Sequence, residues 1–91
     1  MRSTVLTITN ELGLHARAAA QLVKRLSGYH SRITIKRLDI DRSVDAKSIL
    51  AVLTLAAAKG TIVEIIAEGE DESDVVSTVS ELFAKGFGES K

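Results

Sequence analysis

The sequence predicts an α+β protein whose helices pack on one face of a mostly antiparallel sheet, with the other face open to water. Three observations predict this. Ser31-Arg32-Ile33-Thr34-Ile35-Lys36-Arg37 alternates polar and apolar residues with the period of two that a half-buried strand requires. Two further stretches, about Ala16 to Ser27 and about Asp71 to Lys85, change to a helical period. The elements then follow one another as β-α-β-β-α-β-α, an order that gathers helices on one side of a sheet.

The first strand is Val5 to Thr9, rich in β-forming residues, with Leu6 and Ile8 sharing a face. Asn10 and Gly13 mark the loop that follows; Gly13 serves a positive φ, a close passage of the backbone, or simply an ordinary turn. In the first helix Ala19, Leu22, Val23 and Leu26 form one stripe, and Gly28 stops it. Ile33 and Ile35 turn the second strand toward the core. A short third strand fits Asp41 to Val44. Asp45 is the expected N-cap of the second helix, which places Ser48 at its third residue. Apolar residues nearly surround that helix, so some must stay on the surface as a small sticky patch. Thr61 to Glu68 is the strongest strand signal. Asp71 is the expected cap of the last helix, with the Val75, Val79, Leu82, Phe83 stripe inside it. Gly86 ends that helix, Phe87 tucks back on the core, and the last three residues are expected to be loose.

Ninety-one residues make one domain, 1–91, with a single modest core, and 45% hydrophobic content suits a folded chain. Twelve Lys+Arg against twelve Asp+Glu give no basic excess for a nucleic-acid binder. Without cysteine there is neither a disulfide framework nor a thiolate metal site. The longest apolar runs fall short of the ~20 residues that cross a bilayer, and the first residues begin no signal-peptide pattern. The expectation is a cytoplasmic protein with no membrane insertion.

The chemistry concentrates in Asn10-Glu11-Leu12-Gly13-Leu14-His15-Ala16-Arg17. His15 falls at or beside a helix N-terminus, where unpaired backbone N–H groups and the helix dipole favour anions, phosphate above all. As a metal ligand His15 lacks partners, since His30 is the only other histidine; no metal is expected. As the base of a hydrolase it lacks a nucleophile motif. As a phosphoryl acceptor it needs a neutral ring, donors around the oxygens and a fixed orientation. The helix N–H groups, that of Ala16 included, and the Arg17 guanidinium supply the donors. Dipole and Arg17 together disfavour imidazolium. The plainer alternative is a surface histidine that happens to precede a helix. Ser48 is a second candidate, because phosphate near a helix start is favoured by the dipole; the plainer reading there is a serine satisfying backbone donors.

The N-x-x-G-L-H-A-R pattern of Asn10 to Arg17 resembles the active-site signature of the HPr family, the histidine-containing phosphocarriers of the bacterial phosphoenolpyruvate-dependent phosphotransferase system. Val44-Asp45-Ala46-Lys47-Ser48-Ile49-Leu50 resembles the family's second signature, and Gly60, the acidic start of the last helix and Gly86-Phe87-Gly88-Glu89 also match. The resemblance covers nearly the whole chain. It implies an open-faced β-sandwich: a four-stranded antiparallel sheet with three helices on one face. It implies that His15 accepts a phosphoryl group on Nδ1 from phosphorylated enzyme I and passes it to an EIIA domain, a stoichiometric carrier rather than an enzyme. Arg17 and backbone N–H groups at the start of the first helix would steady the group. Ser48 matches the serine modified by HPr kinase/phosphorylase. Ala20, Lys24, Ile49 and Leu53 become partner-binding candidates. No cofactor is implied, and a monomer is expected.

Two departures stand out. Ala18 replaces the proline common after the arginine, and Ala51 stands where many members carry glycine. Three other readings compete. A nitrogen-related paralogue within the family is harder to exclude than the other two. A small-molecule-sensing α+β domain would take no phosphate. An RNA-recognition module would need stacking aromatics on its strands, whereas Tyr29, Phe83 and Phe87 all fall outside the predicted ones.

Overall fold

The computed structural model describes residues 1–89. Its elements are β1 (Arg2–Thr7), α1 (Ala16–Leu26), β2 (Arg32–Arg37), β3 (Arg42–Asp45), α2 (Ile49–Thr54), β4 (Ile62–Glu68) and α3 (Glu72–Ala84), followed by a short 3-10 turn, Gly86–Gly88. The strands form one sheet in the order β1-β4-β2-β3, with every neighbouring pair antiparallel. This is the expected α+β open-faced sandwich.

The register follows from the period-two pattern. Ile35 pairs with Ile65 and Ile33 with Ala67, so their side chains share the buried face of the sheet. Against that face lie Ala19, Leu22 and Leu26 of α1, Val52 of α2, and Val75, Val79 and Phe83 of α3, all buried. Thr34, Ile66 and Ser3 lie side by side on the opposite face, as do Lys36, Glu64 and Val5. Arg32, Thr34 and Lys36 thus occupy the open face as expected. The three aromatics lie off the strands: Phe83 in α3, Phe87 in the 3-10 turn and Tyr29 before β2.

Four expectations need correction. β1 begins at Arg2 and ends at Thr7, not Thr9. Beyond the ladder, Ile8 is held by bonds from its N–H to Thr61 O and from Gly60 N–H to its own carbonyl. The N-cap of α2 is Ser48, not Asp45. Asp45 is still paired with Thr34 in the sheet, so the chain needs Ala46 and Lys47 to turn before an extended residue can cap the helix. Asp71 occupies the N-cap position of α3 without capping it; its carboxylate instead accepts from His30 N–H, Ser31 N–H and the Ser31 hydroxyl. Glu89 is not loose but is tied to the loop before α1 by its side chain. The other two residues of the expected loose end, Ser90 and Lys91, lie outside the described residues.

Candidate functional site

The site forms where the β1–α1 loop meets the end of the chain's last helical segment. Gly13 makes the loop possible. Its φ is +66°, and a Cβ there would stand 2.5 Å from the Ala57 carbonyl oxygen. The positive φ and the close passage therefore both hold for this glycine. Leu14 N–H donates to the same oxygen at 2.9 Å, and the Leu14 side chain is buried. These contacts fix the residue before the histidine.

His15 is the N-cap of α1. Its backbone is extended (φ −76°, ψ −179°), its carbonyl accepts the first helical bond from Ala19 N–H at 2.8 Å, and its side chain does not cap the helix. The amides of Ala16, Arg17 and Ala18 have no acceptor within the helix, as the first turn requires. Lys24 and Arg25 sit in the last turn, matching the opposite end of the dipole. The His15 side chain is 25% exposed. Arg17, two residues along, is exposed and has no ion-pair or hydrogen-bond partner among the described residues.

The ring itself is held through Nε2, which is hydrogen-bonded to Glu89 Oε2. Asn10 Nδ2 donates to the same carboxylate oxygen at 3.0 Å and to Gly13 O at 2.8 Å. The hydrogen bond with His15 holds the Glu89 carboxyl below the usual carboxylate range, with smaller help from Asn10 and from the Leu12 backbone N–H. The ring's surroundings are therefore not uniformly positive, as helix end and Arg17 alone implied; a carboxylate stands against it. Sequence reasoning gave Glu89 no part here because 74 residues separate it from His15. The only signal was its place in the closing Gly-Phe-Gly-Glu.

Ser48 sits at the start of α2, half-buried, and its Oγ accepts from Ala51 N–H at 3.3 Å. α1 and α2 pack together, so the helices carrying His15 and Ser48 are neighbours. Ala20 and Lys24 are exposed on α1, Ile49 is exposed on α2, and Leu53 is half-buried against the core. Two larger apolar side chains were missed: Leu12, 68% exposed in the loop before His15, and Leu50, 73% exposed on α2. Among the described residues no group of three His, Cys, Asp or Glu could hold a metal ion, and no helix is long and apolar enough to cross a membrane.

Fold and site together define a small α+β protein with a partly exposed imidazole, that of His15, at a helix N-terminus. Residues 2–85 match the family model described as "PTS HPr component phosphorylation site". The phosphocarrier protein HPr of Xylella fastidiosa (strain Temecula1) is 46% identical over 84 residues, 92% of each chain. An HPr crystal structure from Thermoanaerobacter tengcongensis superposes with a TM-score of 0.94 at 34% identity, covering all of both chains. An HPr dimer from the same organism gives a TM-score of 0.76 at 35% identity, covering 98% of this chain and 100% of that one. The chain belongs to the HPr family of phosphotransferase-system phosphocarriers.

Proposed function

We propose that His15 accepts a phosphoryl group on Nδ1 from phosphorylated enzyme I and donates it to an EIIA domain, so that one carrier unit spanning residues 1–91 shuttles phosphate stoichiometrically in the cytoplasm. The observation that carries this reading is the partly exposed imidazole at the N-cap of α1, with one ring nitrogen already occupied. A carboxylate only accepts, so Nε2 is the nitrogen that bears hydrogen and Nδ1 keeps the lone pair. The amides of Ala16 and the next residues, with the Arg17 guanidinium, which has no partner among the described residues, offer donors to the phosphoryl oxygens.

Transfer of this kind asks for positioning and charge stabilisation more than covalent help. The carrier must also let the group go. One arginine and a helix end hold phosphate without the grip of a metal ion. Partners dock over α1 and α2 at Ala20, Lys24, Ile49 and Leu53; the exposed Leu12 and Leu50 support an apolar contact there. Ser48 is the second phosphorylation site, addressed by an ATP-dependent HPr kinase/phosphorylase.

The deciding experiment is labelling with phosphoenolpyruvate and enzyme I. The wild type takes label and His15→Ala takes none; label on His15→Ala at the wild-type level refutes the assignment. The carrier works as a monomer. A dimeric mass by light scattering at working concentration, as in the solved relative, would overturn that part alone.

A further inference from the structure

We propose that Glu89 is a positioning residue for phosphoryl transfer: a left-handed turn delivers its carboxylate to His15 Nε2, which sets the tautomer of the ring and balances the charge the ring gains when Nδ1 is phosphorylated. The inference rests on the carrier reading above.

The turn is built for delivery. Gly86, Phe87 and Gly88 have φ of 58°, 57° and 77°, three successive residues in the left-handed region. Glycine adopts this backbone without cost; Phe87, with a Cβ, does not. Phe87 is held there by packing: its side chain is 2% exposed and its ring centroid lies 5.0 Å from that of Phe83. Gly88 N–H donates to Lys85 O at 3.0 Å and Glu89 N–H to Gly86 O at 3.1 Å, closing the turn. A strained segment anchored by a buried aromatic is over-determined, as backbone at functional sites commonly is. Its product is a carboxylate whose side chain is 12% exposed, placed on His15 and braced by Asn10, itself 6% exposed. Asn10 also ties to Gly13 O, so the brace belongs to the same loop as the histidine.

The chemistry follows from charge. When the Nδ1 lone pair attacks phosphorus, the Nδ1–P bond forms and the bond from phosphorus to the donor breaks. The electron pair of that bond leaves with the donor. The Nε2 proton stays, so the ring becomes cationic. A carboxylate already bound at Nε2 stabilises that cation without reorganising, the role an aspartate plays behind a catalytic histidine. In the onward transfer the Nδ1–P pair returns to the ring, which leaves as neutral imidazole with its Nε2–H intact.

The test is nitrogen-15 NMR of His15 together with the rate of labelling by phosphoenolpyruvate and enzyme I, in wild type, Glu89→Gln and Glu89→Ala. The wild type shows the Nε2–H form. Glu89→Gln keeps an acceptor but no charge: the tautomer stays and the rate falls about tenfold, the scale of one hydrogen bond to a charged group. Glu89→Ala shifts the ring toward a mixture of tautomers and slows labelling at least as much. Either readout unchanged in Glu89→Ala overturns the role. A wild type that takes no label refutes the carrier reading instead.

Discussion

Gly13 runs directly against Ala57: the carbonyl oxygen that accepts from Leu14 N–H lies 2.5 Å from where a Gly13 Cβ would be. The loop that presents His15 is thus moulded on the segment after α2. Position 13 can hold no side chain unless one of the two backbones moves.

Gly13→Ala should therefore destabilise the fold and misplace the histidine at once. The expected loss is about 2–3 kcal/mol, from a left-handed φ on a residue with Cβ plus the backbone clash. Urea unfolding measures the stability, and labelling by enzyme I measures the site. Wild-type stability would show that the loop relaxes freely and that the close passage sets nothing.

Arg17→Ala should slow acceptance by roughly tenfold or more while His15 still labels to completion. Arg17→Lys should fall between, since an ammonium keeps the charge but not the fork. The side chain is exposed and has no partner among the described residues, so stability should barely change. Identical rates in all three proteins would remove Arg17 from the reaction.

For Ser48 the cap and the charge can be separated. Ser48→Ala removes the acceptor for Ala51 N–H and should cost about 1 kcal/mol. Ser48→Asp keeps a capping oxygen and adds charge beside the exposed Ile49 and Leu50. It should remain stable yet accept phosphate from enzyme I more slowly. Stopped labelling time courses that superimpose on the wild type would show that charge at this position regulates nothing.

Asp71 should make stability depend on acid. The Ser31 hydroxyl, then the His30 and Ser31 backbone N–H groups, hold its carboxyl below the ordinary value of 3.8. A carboxyl depressed in the native state stabilises fully above its unfolded value, and that contribution is lost as pH falls through the native one. Asp71→Asn should be less stable than the wild type at neutral pH, with the gap closing from about pH 5 downward. A gap that stays constant down to pH 3 in urea titrations would contradict this.

Much of the fold was legible because local pattern and tertiary role agree. Ile33 and Ile35 alternate with polar neighbours, and the sheet buries them. The α1 stripe reads from spacing alone, and a close passage at Gly13 is one of the readings that glycine allows. The misreadings fall where two elements compete for one residue. Asp45 has the chemistry of a cap, but β3 claims it, and Ser48 caps instead. Asp71 stands at a helix start, but the segment entering β2, whose buried Ser31 needs a partner, takes its carboxylate.

The sequence by itself determined the element order, the face each strand buries and the histidine at the head of α1. These depend on periods of two and 3.6 and on a handful of residues adjacent in the chain. Only the tertiary structure decided what touches the ring. Glu89 reaches His15 across 74 residues because Phe87 packs on Phe83 and turns the backbone left-handed. No local preference encodes such a meeting; it exists only once the core has closed and brought the two ends of the fold together.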